Sequence, residues 1–184
     1  MNFKPYAMSL SLLVLTAMSM AARAEHADRD KPINLDADRI TVDDASKTHI
    51  FEGNVQLSQG TLVIKATKIV VSQDASGYQT GVATGGPGGL ARFRQKREAR
   101  NEYIEGEADR IENDAKAEKS ELFGHAKMRS GQDEVAGQYI SYDGKTENYV
   151  VSNGPNGTAT TNPKSERVHA TIHPKNKDEG KTTP

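Results

Sequence analysis

Apolar residues recur along the chain in short alternating pairs: Ile33 and Leu35, Ile40 and Val42, Val55 and Leu57, Leu62 and Ile64, Ile69 and Val71. Successive side chains of a strand point to opposite faces, so a period of two predicts strands with one buried face. Between the pairs lie Asp43 to Ser46, Ser58 to Gly60 and Gln73 to Gly77, rich in residues that favour turns, and the spacing predicts successive antiparallel hairpins. The best helical candidate, Arg97 to Lys119, holds Ile104 and Ile111 seven apart, but Gly106 and the dense charge argue against a helix. After Gly157 the chain turns polar, except that Val168, Ala170 and Ile172 alternate and predict one last strand, ended by Pro174. Residues 175–184 carry no apolar side chain and are expected to form a disordered tail.

The pattern repeats. Ala37, Asp38, Arg39 and Ile40 recur 71 residues on as Ala108, Asp109, Arg110 and Ile111, and the same offset carries Gly53 to Gly124, Gly60 to Gly131 and Ile69 to Ile140. Within each copy an offset of 29 takes Ala37 and Ile40 to Ala66 and Ile69, and Ala108 and Ile111 to Gly137 and Ile140. A Gly, Pro, any, Gly turn closes each copy, at Gly86 to Gly89 and at Gly154 to Gly157. Periods of this order signal stacked supersecondary units.

The first residues change the picture of where this sheet works. Lys4, an apolar run from Ala7 to Met20 and the small, any, small sequence Ala22, Arg23, Ala24 predict a secretory signal peptide over residues 1–24. The run is shorter than the roughly 18 to 20 residues a membrane span needs, and Ser9, Ser11, Thr16 and Ser19 interrupt it. The mature protein is expected to begin near Glu25 as one domain over residues 25–174. There is no cysteine, which excludes thiol catalysis and thiolate metal sites. Charge is nearly balanced, 24 basic against 25 acidic residues, so no nucleic-acid partner is expected. Leu, Ile, Val and Phe together number 33 of 184 residues, below the roughly 20% associated with disorder, though the high net charge that accompanies disorder is missing, so the core must be thin. Such a thin core suits stacked rungs that touch only their neighbours, or an interior partly filled by a ligand.

Candidate chemistry is sparse. Gly86, Gly88 and Ala91 have a dinucleotide-type spacing, but Pro87 intervenes and no helix pattern follows, so a turn is expected. His169 and His173 are four apart on a segment that reads as a strand, where the two imidazoles would not converge on a metal. Asp36 with Asp38 and Glu107 with Asp109 each lie beside Arg39 or Arg110 and read as solvated ion pairs. The sequon at Asn156 reads as a turn. Arg92, Arg94, Lys96, Arg97 and Arg100 gather five cations against Glu98; they either grip phosphates through paired donors or form a solvated hairpin tip. No cofactor, metal site or catalytic constellation is expected, and the protein is read as no enzyme.

Pro32 to Leu35 with Asp38, then Phe51, Glu52, Gly53, Asn54, Val55, and the strand Gly60 to Val71 resemble the OstA-like family of periplasmic lipopolysaccharide-transport proteins. Ala91, Arg92, Phe93 and Arg167, Val168 echo it further, and the likeness runs from about Lys31 to Pro174. The resemblance implies an open, twisted β-jelly-roll of about sixteen antiparallel strands whose groove shields acyl chains. It implies a periplasmic carrier of lipopolysaccharide, stacking head to tail between an inner-membrane extraction complex and an outer-membrane translocon. The alternative is a structural adaptor of the cell envelope that binds only proteins. The inward-facing positions are then Ile33, Leu35, Val55, Leu57, Leu62, Ile64, Phe93, Ile111, Met128 and Ile140, touching acyl chains or packing on one another. Arg92, Arg94, Lys96 and Arg97 are the candidate phosphate contacts. The edges near Ile33 to Leu35 and Val168 to Ile172 are where copies would join.

Overall fold

The computed structural model describes residues 28, 31–77, 79–97, 102–154, 158 and 167–174. The expected leader, the tail and the Asn156 sequon lie outside them. Twelve strands follow in order: β1 (Asn34–Asp36), β2 (Arg39–Asp43), β3 (Thr48–Gln59), β4 (Leu62–Gln73), β5 (Gln79–Thr84), β6 (Ala91–Lys96), β7 (Tyr103–Ala108), β8 (Arg110–Asp114), β9 (Lys119–Ser130), β10 (Asp133–Asp143), β11 (Asn148–Ser152) and β12 (His169–Thr171). Every pairing among them is antiparallel, in one continuous sheet. Ile104 and Ile111 of the weak helical candidate lie in β7 and β8. The Gly86 to Ala91 segment is a single 3-10 turn, Pro87–Gly89, running straight into β6.

The sheet is creased. The extra residue in β3 between Glu52 and Val55, and in β9 between Phe123 and Ala126, makes a β-bulge in each, which bends a strand and sharpens its twist. The N-terminal half of β3 pairs with β2 and its C-terminal half with β1; β4 turns likewise from β6 to β5. β9 and β10 do the same with β8, β7, β12 and β11. Each long strand thus serves two leaves that face one another. Counting their halves separately turns twelve strands into sixteen segments, the number expected of the jelly-roll.

The crease is held by the repeated residues. The Asp38 amide donates to the Gly53 carbonyl and the Asp109 amide to that of Gly124, both at 3.0 Å. The repeat extends to whole strands: β2 and β3 map onto β8 and β9 residue for residue at the 71-residue offset. Units β1–β6 and β7–β12 have the same internal pairings, and they join where β5 meets β8 and β6 meets β7. The apolar core lies between the leaves, with Ile69, Leu122, Ile140 and Val55 the largest fully buried side chains.

Candidate functional site

The space between the leaves is a groove whose floor is the crease and whose mouth lies between the leaves' free ends. Alternation selects mostly buried positions. Val55, Leu57, Ile64, Phe93, Ile111, Met128 and Ile140 are all buried in one cluster, with Leu35 and Leu62 packed half-buried against it. Ile33 stands apart, exposed at the mouth just before β1. It shares a small apolar cavity of about 70 Å³ with Leu57, Leu62 and Ile64 of one leaf and Val71, Ala83 and Ile111 of the other. Above this a cleft of about 740 Å³ opens across the mouth, bordered by Ile33, Leu62, Gln79 and Gln95 of the first unit and by Asn113 and Tyr142 of the second. Apolar depth under a polar rim is what an amphiphile's tail and head require.

The second unit repeats the small apolar cavity of the first. Its cavity, between Ile104, Met128, Val135 and Tyr142, measures about 90 Å³. Arg97, just past β6, lies across its mouth: Nη2 donates to the Glu147 carboxylate in the β10–β11 turn, and Nη1 donates to Ser130 Oγ at 2.9 Å. Ile104, Val135 and Tyr142 were missed as lining residues from sequence. The repeat offset would have found the first two, since it carries Ile33 to Ile104 and Ile64 to Val135.

The rest of the basic run faces elsewhere. Arg92 and Arg94 lie in β6 rather than at a hairpin tip, on the outer side opposite Phe93, and the alternation puts Lys96 there too. Arg92 Nε donates to Glu107 at 2.9 Å, and Arg94 pairs with Glu105 at 3.2 Å while its guanidinium stacks 3.8 Å from the Tyr103 ring. Glu107 therefore answers Arg92 and not its neighbour Arg110, which reaches Glu112. These pairs border an outer cavity of about 610 Å³ with Lys65, Lys127 and Arg129. Nearby, a hydrogen bond from Arg129 holds the Glu134 carboxyl below its ordinary pKa. Arg100 lies outside the described residues, and of the others in the run only Arg97 reaches the groove. His169 bonds Thr171 at 3.3 Å and the His173 amide donates to Asp133 at 2.8 Å, so the two histidines have separate neighbours.

An open β-jelly-roll with an apolar groove between its leaves defines a class of fold, and the comparisons name the family. The profile described as LptA/(LptD N-terminal domain) LPS transport protein matches residues 34–148. Lipopolysaccharide export system protein LptA of Escherichia coli K12 is 31% identical over 145 residues, 77% of each chain. LptH of Pseudomonas aeruginosa PAO1, also named a lipopolysaccharide export system protein, is 25% identical over 178 residues, 96% of this chain and 97% of that one. The crystal structure of Pseudomonas aeruginosa LptH superposes with a TM-score of 0.70 at 22% identity, covering 80% of this chain and 99% of the other. The chain belongs to the LptA/LptD N-terminal domain family of lipopolysaccharide transport proteins.

Proposed function

We propose that the protein carries lipopolysaccharide through the periplasm, without catalysing any reaction, as one segment of a bridge between an inner-membrane extraction complex and an outer-membrane translocon. The apolar groove between the leaves, opening through a polar-rimmed mouth, carries this reading. Each methylene withdrawn from water contributes about 0.8 kcal/mol, so partial shielding of several acyl chains suffices for affinity without a dedicated polar contact. Photo-crosslinking groups at Ile33, Phe93 and Ile111 should capture lipopolysaccharide, while groups at Asn34 and Arg110 on the outer side should not. Equal labelling of both sets would sink the groove assignment. No amphiphile binding at all would favour the protein-only adaptor.

The bridge requires copies to join end to end, and the repeat supports that. β5 and β6 of the first unit are completed by β8 and β7 of the second. The matching edges at the molecule's ends, β11 with β12 and β2 with β1, have no further strand among the described residues. Seven of the eight large apolar residues exposed among the described ones sit at these ends: Ile33, Ile40, Val42, Tyr149, Val150, Val168 and Ile172. Pairing of unlike edges is heterologous and does not close, so it yields filaments rather than rings. Deleting residues 166–184 should abolish concentration-dependent oligomers in sedimentation while the circular dichroism β-signal persists. Oligomers of unchanged size would remove β12 from the contact.

A further inference from the structure

Arg97 and Glu147 tie the free ends of the two leaves together, one just past β6 and the other in the β10–β11 turn. The pair spans the mouth over the second unit's cavity of about 90 Å³, and the cleft of about 740 Å³, bordered by residues of both units, meets that cavity at Tyr142. The pair is sheltered, with the Arg97 side chain 15% and Glu147 27% exposed, so water screens it less than a surface pair. Arg97 also holds a spare donor: its Nε is buried with no partner among the described residues. The neighbouring charges are occupied, Glu134 by Arg129 at 3.1 Å and Asp133 by the His173 amide at 2.8 Å. A guanidinium with an unused donor, at the lip of an apolar groove and held among the described residues by one carboxylate and one hydroxyl, suits a phosphate, which carries more charge and takes paired donors.

Resting on the groove as the acyl-chain site, we infer that Arg97 receives a phosphate group of the bound amphiphile and that Glu147 holds its place in the empty protein. Lipid entry exchanges an arginine–carboxylate pair for an arginine–phosphate pair, and the second unit opens. Acyl chains then enter the second unit's cavity from the cleft that meets it at Tyr142. The pair is a latch released by the cargo's own headgroup.

The absence of cysteine allows spin labels at Lys96→Cys and Thr146→Cys to report the distance across this mouth. In the otherwise unaltered mature protein, diphosphoryl lipid A should lengthen that distance, whereas inorganic phosphate, lacking the chains, should not. The protein should prefer diphosphoryl lipid A over its phosphatase-treated form by roughly tenfold, the scale of one lost charge-assisted hydrogen bond. Arg97→Gln should erase that preference while leaving the dephosphorylated form bound, and Arg97→Lys should keep part of it. Glu147→Gln should show the long distance without lipid. An unchanged distance in Glu147→Gln, opening by inorganic phosphate alone, or a preference that survives Arg97→Gln overturns the latch and leaves the groove reading standing. If neither lipid A form binds any variant, both readings fall.

Discussion

Gly53 and Gly124 occupy the bulges with φ of +79° and +71°, a region that costs other L-residues roughly 1–2 kcal/mol. Space forbids a side chain as well: a Cβ would lie 2.3 Å from Asp38 Oδ2 at Gly53 and 2.2 Å from Asp109 Oδ2 at Gly124. Each carboxylate in turn meets the residue after the glycine, Asn54 Nδ2 at 2.9 Å and His125 Nδ1 at 2.9 Å. Gly124→Ala should therefore lower stability by about 2 kcal/mol in urea unfolding. In an Asp109→Ala background the added cost should fall to about half that, because backbone strain remains when the clash is gone. A second cluster covers the outer side of the other leaf, where Phe123 and Tyr139 meet edge to face at 5.3 Å. Burial works to raise the pKa of Glu121, but hydrogen bonds from Tyr139 and Lys119 outweigh it and hold the carboxyl below its ordinary value. A carboxylate with a depressed folded-state pKa stabilises above its unfolded value, near 4.5, and loses that contribution as pH falls further. Thermal midpoints should thus drop below about pH 4.5, and Glu121→Gln should flatten that part of the profile while costing about 1 kcal/mol at pH 7.

At the scale of the element, period two located β1 to β4 and β12 but not β5 to β11, and the pair Ile40 and Val42 that it reads as facing inward is exposed. It could not show that four strands bend, because a bulge leaves no mark in apolar spacing. The sign was present in another form, as Gly53 and Gly124 in one repeat register, but the reason for glycine there is a carboxylate from a strand far along the chain. The Arg97–Glu147 contact was invisible for the same reason: its partners are 50 residues apart and meet because the crease brings the leaves' ends together. β2 shows what partnership adds to an identical pattern. Ile111 in β8 is 2% exposed beside β5, whereas its repeat counterpart Ile40 in β2 is 53% exposed. An exposed apolar edge invites another strand, and lysine is a common means of blunting it. Ile40→Lys and Val42→Lys should therefore weaken self-association in sedimentation roughly tenfold or more while changing monomer stability by no more than about 0.5 kcal/mol. A large loss of stability would mean that β2 packs within its own molecule.

For the whole molecule, the internal junction doubles as a template for the contact between copies. Val63 and Glu134 are repeat counterparts, and they face Arg94 of β6 and Thr171 of β12 respectively. This makes Phe93 the counterpart of Ala170 and Arg92 that of His169. Across the internal junction Phe93 faces Gly106 and Arg92 faces Glu107. The 71-residue offset turns those partners into Leu35 and Asp36 of a neighbouring copy. Ala170 should then sit opposite Leu35, and His169 opposite Asp36, a pairing that keeps the basic-to-acidic sense of Arg92 with Glu107. Register matters here because a slip of one residue would turn every apolar side chain of the joining strand from groove to solvent. A groove continuous from copy to copy requires this register and no other. The cysteine-free sequence makes the prediction direct to check. Directly opposed residues of antiparallel strands lie about 4.5–5.5 Å apart at Cα, within the span of a disulfide. The double variant Leu35→Cys with Ala170→Cys should oxidise to a ladder of covalent multimers under non-reducing electrophoresis. Asn34→Cys with Ala170→Cys, whose side chains would leave opposite faces, should remain mostly monomeric. A ladder of equal strength from both would show that the ends meet without a fixed register, and a groove running unbroken between copies could not then be built from this junction.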